Sequence, residues 1–96
     1  KVETDAIREF IEYAKNNGSK SSERYYMIIT KATNEILGIE AGQRDNLTAS
    51  QLDHLAMVER VIANTLNDGV EKEMNYKDIY KLAASKAKQV YGIVSL

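Results

Sequence analysis

The chain contains no proline, and this absence constrains its fold more than any other single feature. Proline interrupts helix interiors, so glycine is the remaining strong local breaker in this sequence. Glycines at positions 18, 38, 42, 69 and 92 divide the chain into segments of helical length. No segment of about four to eight residues alternates as a half-buried strand does. The sequence therefore predicts an all-α fold.

Four stretches carry apolar side chains at the helical period, and they are 3–16, 21–37, 48–68 and 75–91. We expect them to pack as a compact four-helix bundle with the second or third helix at its centre. The apolar band of the second helix is the widest, because Ile28 extends it to about half of the circumference. Glycines at 18, 38, 69 and 92 are expected to end the four helices in turn.

The helix starts carry capping signals of different strength. Thr48 and Gln51 have the spacing of a capping box, with Leu47 placed to pack onto Leu52. Asn75 is expected to cap the fourth helix. Serines are expected to cap the second helix, and the candidates are Ser19, Ser21 and Ser22.

Length and composition limit the class of protein. A chain of 96 residues is long enough for one core, so we expect a single domain over 1–96. It begins with Lys1, and we expect it to be a piece of a longer protein. It has no cysteine, no apolar run of about 18 residues and no secretory pattern. These features predict an intracellular protein without a membrane partner.

Catalytic and metal-binding patterns are missing from the sequence. A hydrolytic triad needs a histidine, and His54, the single one, is expected at the edge of the third helix. Without cysteine, a zinc site would need three carboxylates beside that histidine, a set that zinc seldom uses. Neither a calcium loop nor a glycine-rich phosphate loop is present. We therefore predict a non-enzymatic protein without metal or cofactor.

Glu59 is the one carboxylate that the helical period puts within an apolar stripe. A lone buried charge is costly, so we expect a partner for it, either a cation such as Arg24 or Lys31 or a tyrosine hydroxyl. Two interpretations stay open: a structural polar group, or an acid in a pocket for a small ligand.

Two groups of exposed residues suggest binding surfaces. The net charge is −1, yet residues 74–96 carry four lysines and one acidic residue. Lys77, Lys81 and Lys88 share one side of the fourth helix, which suggests either a phosphate-facing ridge or lysines that cover a core helix. Met27 and Met57 project from otherwise polar helix faces, and with Val61 they are our candidate interface residues.

Three motifs occur in a fixed order: residues 23–34 read ERYYMIITKATN, residues 47–52 read LTASQL, and residues 76–80 read YKDIY after Gly69. Over residues 20–90 the chain resembles the helical C-terminal regions of bacteriophage and prophage regulatory proteins of the antirepressor and Rha-like kind. This resemblance implies a domain in the cytoplasm of a bacterial host, following an N-terminal domain that contacts DNA or a repressor. It carries no site residues.

The leading functional hypothesis is therefore a non-enzymatic interaction or oligomerisation domain of a phage-type regulatory protein. Its partner would be a second copy or another regulatory protein, with nucleic acid bound through the parent protein. The alternatives are direct DNA binding through the three lysines, and a small-ligand domain around Glu59.

Overall fold

Four α-helices make up most of the computed structural model, which describes residues 2–40 and 42–94 and the side chains of all of these except 2–4 and 44. The helices are α1 (Val2–Asn16), α2 (Tyr25–Leu37), α3 (Ala49–Glu71) and α4 (Tyr76–Val94). Short 3-10 turns at Ser22–Arg24 and Arg44–Asn46 precede α2 and α3. This described part contains no strand, and the all-α prediction is confirmed.

The helices form a bundle around α3. This helix has its most extensive contacts with α4 and α1, while α2 packs on α4 and also reaches α3 and α1. Helices α3 and α4 are joined by a short turn, and the Tyr13 hydroxyl near the end of α1 donates a hydrogen bond of 2.6 Å to the Met74 carbonyl in that turn. The end of α1 is thereby fixed to the α3–α4 turn.

Aromatic rings join α2 to the same end of the bundle. The Tyr25 ring lies 5.0 Å from the Phe10 ring, 6.3 Å from the Tyr76 ring and 5.8 Å from the Tyr80 ring, between ring centroids. Since Tyr25 begins α2 and Tyr76 begins α4, these two helices start at the same end and run in the same direction.

The capping signals of α3 and α4 are confirmed. The Gln51 amide donates to the Thr48 hydroxyl at 3.1 Å, and the Thr48 amide donates to the Gln51 side chain at 2.9 Å, which completes the capping box. The Lys77 amide donates to the Asn75 side-chain oxygen at 2.9 Å. Both starts are local, because each cap depends on residues two or three positions apart.

The prediction that a serine side chain caps the start of α2 is wrong. A 3-10 turn comes first, and neither Ser21 before that turn nor Arg24 before α2 forms a side-chain cap. Ser22 is buried within the turn. The helix therefore starts at Tyr25, four residues later than predicted, because the chain turns tightly to bring the Tyr25 ring against Phe10.

The predicted end of α3 at Gly69 is also wrong. The helix continues to Glu71, and the Met74 amide donates to the Gly69 carbonyl at 3.0 Å. The left-handed residue that ends this helix is Glu73, at φ 54. Gly69 instead meets α4: a Cβ there would lie 2.6 Å from Cγ1 of Ile79. Close approach of two helices explains this glycine, and helix termination does not.

Helix α4 likewise continues past Gly92 to Val94. Ile93, in the last turn of α4, is 71% exposed. Val94 is half-buried, and residues 95 and 96 lie outside the described residues. The glycine is tolerated because it is exposed near a helix end, where its cost is small.

The core consists of inward side chains from all four helices, and the largest fully buried ones are Phe10, Leu66, Ile79, Val58 and Thr33. Two residues predicted to be apolar contacts are largely exposed: Leu52 at 49% and Ile28 at 40%. The core on α3 begins one turn after Leu52, at Leu55, so the first turn of this helix extends beyond the packed part of the bundle.

Candidate functional site

A groove of about 430 Å³ runs between α2 and α4. Its floor is formed by small and apolar side chains, and these are Ala32 and Ile36 on α2 and Tyr80, Ala84 and Tyr91 on α4. Glu35 forms part of one rim, and Lys88 forms part of the other. Because Ala32 and Ala84 lack long side chains, the two helices leave this space open between them.

The floor of the groove is closed toward the core. Beneath it lies a recess of about 10 Å³ between Ile29, Ile62 and Ala83, a volume at the lower limit for one water molecule. Any ligand of this groove would therefore lie on the surface of the bundle and make contact with α2 and α4 together.

The three candidate lysines lie on one side of α4, and one of them lines this groove. Lys77, Lys81 and Lys88 are exposed, and Lys88 lines the groove directly. By helical spacing, Lys81 lies on the same side of α4 as Ala84 and Lys88, so it continues this rim toward the start of the helix. None of the three forms a salt bridge with another residue of the described chain. The sequence located this basic side but gave no sign of the groove.

Charge is distributed unevenly between the helices. Helix α4 carries four lysines and one aspartate, whereas α3 carries four carboxylates and one arginine. Lys86, on the other side of α4, lies near Asp68 and Thr65 of α3 in a separate shallow depression. The basic residues that face the groove thus lie away from the acidic helix.

The candidate interface residues are exposed but do not form one patch. Met27 is 74% exposed and Met57 is 44% exposed, while Val61 is half-buried. Met27 lies in the first turn of α2, at the end of the bundle where α3 finishes. Met57 lies in the first half of α3, toward the opposite end. Tyr26 and Ile28, at 50% and 40% exposed, flank Met27 and make the larger apolar surface.

Glu59 and His54 both lie on α3, and neither lines the α2–α4 groove. Glu59 is only half-buried. The His54 ring packs edge-on against the Tyr91 ring, with centroids 5.9 Å apart and planes at 84°. His54 on α3 therefore packs against Tyr91, and Tyr91 also lines the groove.

Burial raises the pKa of the Tyr25 hydroxyl above its ordinary value near 10, and the neighbouring Tyr76 and Tyr80 act in the same direction. A tyrosine with a raised pKa stays neutral at physiological pH. Its contribution here is packing between α1, α2 and α4.

Among the residues that the structure describes, no group of three or more His, Cys, Asp or Glu side chains is arranged to hold a metal ion. Of the helices described, none combines the length and the apolar character needed to cross a membrane.

No family model, no curated protein and no solved structure matches this chain. The resemblance to phage regulatory proteins therefore depends on the three sequence motifs alone. Two of these motifs have a structural role: LTASQL forms the capping box of α3, and YKDIY forms the first turn of α4.

Proposed function

We propose that this domain is a non-enzymatic interaction and self-association module of a phage-type regulatory protein in the cytoplasm of a bacterial host. The observation that carries the proposal is the exposed apolar turn at the start of α2. Tyr26, Met27 and Ile28 are consecutive, apolar in their bodies and 50%, 74% and 40% exposed. Such a surface gains stability when it is covered by another protein.

The chemistry of the turn favours a protein partner. Methionine adapts to different surfaces, and tyrosine combines a large apolar contact area with a hydroxyl that can remain hydrogen-bonded. Met57 offers a second apolar contact on α3.

Sedimentation equilibrium over a range of concentrations tests self-association. We expect a wild-type mass above that of the monomer, and we expect the double variant Met27→Lys with Met57→Lys to be monomeric. The matched control is Asn64→Lys with Gln89→Lys, which adds the same two charges at exposed polar positions and leaves the mass unchanged. A wild-type chain that is monomeric at every concentration contradicts the proposal.

Direct DNA binding is a second candidate, and the three unpaired lysines on one side of α4 favour it. It predicts an affinity for duplex DNA that falls steeply with salt and is lost in the variant with Lys77, Lys81 and Lys88 all changed to alanine. If the chain does not bind duplex DNA even at low salt, this candidate function is excluded. The third hypothesis, a ligand pocket around Glu59, predicts that Glu59→Ala removes binding without lowering stability.

A further inference from the structure

We infer that the groove between α2 and α4 is a docking site for an acidic amphipathic helix of a partner protein. The inference depends on the proposed function only in treating the domain as a protein-binding one, and it does not require self-association through Met27. It follows from the shape of the groove, from the chemistry of its floor and from the charges on its rims.

The shape suits a helix. On α4 the lining residues extend from Tyr80 to Gly92, a distance of about 18 Å at 1.5 Å per residue. This length corresponds to about three helical turns. On α2 the lining residues lie within 32–36, about one turn near the end of that helix, so an incoming helix would lie along α4 and contact the last turns of α2.

The floor favours apolar side chains on the partner. Ala32, Ile36 and Ala84 offer it no charged group, and the rings of Tyr80 and Tyr91 add apolar area at the side of α4. An amphipathic helix recognises such a groove through side chains at positions i, i+3, i+4 and i+7. Nucleic acid would leave this floor unused, because phosphate contacts need only the lysines on the rim.

The rims favour acidic side chains beside that apolar stripe. Lys81 and Lys88 lie along the α4 side, and Lys31 lies one turn before Glu35 on the α2 side. The lysines outnumber the single carboxylate, and those of α4 have no salt-bridge partner among the described residues. Complementary charge on a partner would accelerate its association and fix its direction.

Three peptides of about 18 residues, or five helical turns, provide the test. The acidic peptide has leucines at the four positions of one helical stripe and glutamates beside them. The basic peptide keeps the leucines and replaces each glutamate with lysine. The stripe-free peptide keeps the glutamates and replaces each leucine with glutamine. Each carries an N-terminal fluorophore, and binding is followed by fluorescence anisotropy.

We expect the acidic peptide alone to bind, and we expect its binding to shift the backbone amide resonances of Ala32, Glu35, Ala84 and Lys88 in two-dimensional NMR spectra. Lys81→Glu combined with Lys88→Glu should weaken the affinity roughly tenfold, because two attractions become repulsions. Glu35→Lys should strengthen it. Lys86→Glu is the control, since it makes one such charge reversal on the other side of α4 and should leave the affinity within about twofold.

Three results would overturn the inference. The first is equal binding of the acidic and stripe-free peptides, which would mean that charge alone, without the apolar floor, accounts for binding. The second is binding of the acidic peptide with resonance shifts confined to Met27 and Met57. The third is no peptide binding, with duplex DNA bound through the same lysines.

The outcome is distinguishable from that of the proposed function. The variant Met27→Lys with Met57→Lys alters self-association and changes no residue of the groove. If the domain self-associates but does not bind the acidic peptide, the proposed function stands and the inference about the groove is wrong. If the domain is monomeric but binds the acidic peptide, the inference about the groove stands and self-association is wrong.

Discussion

Helix α4 makes two contacts of opposite character, one with α3 and one with α2. Against α3, the Gly69 position is filled from the other side by the Ile79 side chain, and the contact is closed. Against α2, Ala84 and Ala32 are both small, and a groove of about 430 Å³ remains. In this bundle a glycine opposite an isoleucine closes the α3–α4 contact, whereas alanines on both sides leave the α2–α4 contact open. Packing therefore explains the first contact, and the second is available for binding.

Substitution of Gly69 tests the closed contact between α3 and α4 directly. In Gly69→Ala the new methyl group meets Cγ1 of Ile79 at 2.6 Å, and Ile79 is fully buried. We expect the free energy of unfolding to fall by about 1–3 kcal/mol, measured by urea denaturation. Gly92→Ala is the control: a methyl group there contacts nothing within 4 Å, and stability should rise by up to about 1 kcal/mol.

A double-mutant cycle identifies the contact responsible. Ile79→Ala alone should cost about 2–5 kcal/mol, because it leaves a cavity in the core. Combined with Gly69→Ala, the total loss should be smaller than the sum of the two single losses by at least about 0.5 kcal/mol. Additive losses would mean that the α3–α4 contact does not depend on this pair.

The turn that joins α3 to α4 should be improved by glycine. Glu73 has φ 54, a left-handed conformation that costs a residue with a side chain about 1–2 kcal/mol. Glycine removes that cost but increases the entropy of the unfolded chain, so Glu73→Gly should raise the free energy of unfolding by up to about 1 kcal/mol. Glu71→Gly, the same change at the last residue of α3, should lower it by less than about 1 kcal/mol. Destabilisation by both variants would contradict the assignment.

A larger side chain in the open contact should be tolerated. Ala84 lies at the floor of the groove, so the side chain of Ala84→Leu enters existing space. We expect the free energy of unfolding to change by no more than about 0.5 kcal/mol, in contrast to Gly69→Ala. The same variant should prevent the acidic peptide from binding. A loss of stability as large as that of Gly69→Ala would remove the distinction between the two contacts.

The smallest expected effect concerns Tyr25, whose ring joins α2 to α1 and α4. Burial, with smaller effects of Tyr76 and Tyr80, raises the pKa of its hydroxyl, so at alkaline pH the unfolded chain loses this proton before the folded chain does. Stability is thus retained below about pH 10 and falls as the pH rises further. Tyr25→Phe should show a shallower decline between about pH 9 and pH 11 in thermal melts, whereas Tyr26→Phe should follow the wild type.

Parts of the candidate site were predictable from the sequence, and others were not. The exposure of Lys77, Lys81 and Lys88 and of Met27 and Met57 follows from helical periodicity, which determines the side of each helix that a residue occupies. The groove was not predictable, because Ala32 and Ala84 are 52 residues apart and nothing local relates them. The place of Tyr91 on the groove likewise depends on the position of α2.

Local sequence is sufficient to specify the helical class, the inward side of each helix and the helix ends that depend on adjacent residues. The capping box at Thr48 and the left-handed Gly18 and Gly38 are of this kind, since their energies arise within a few positions of the chain. Tertiary structure alone decided that α3 continues through Gly69, that Leu52 stays exposed and that α2 and α4 leave a groove. Each of these depends on which side chain arrives from another helix, and that contact is formed only when the whole chain has packed.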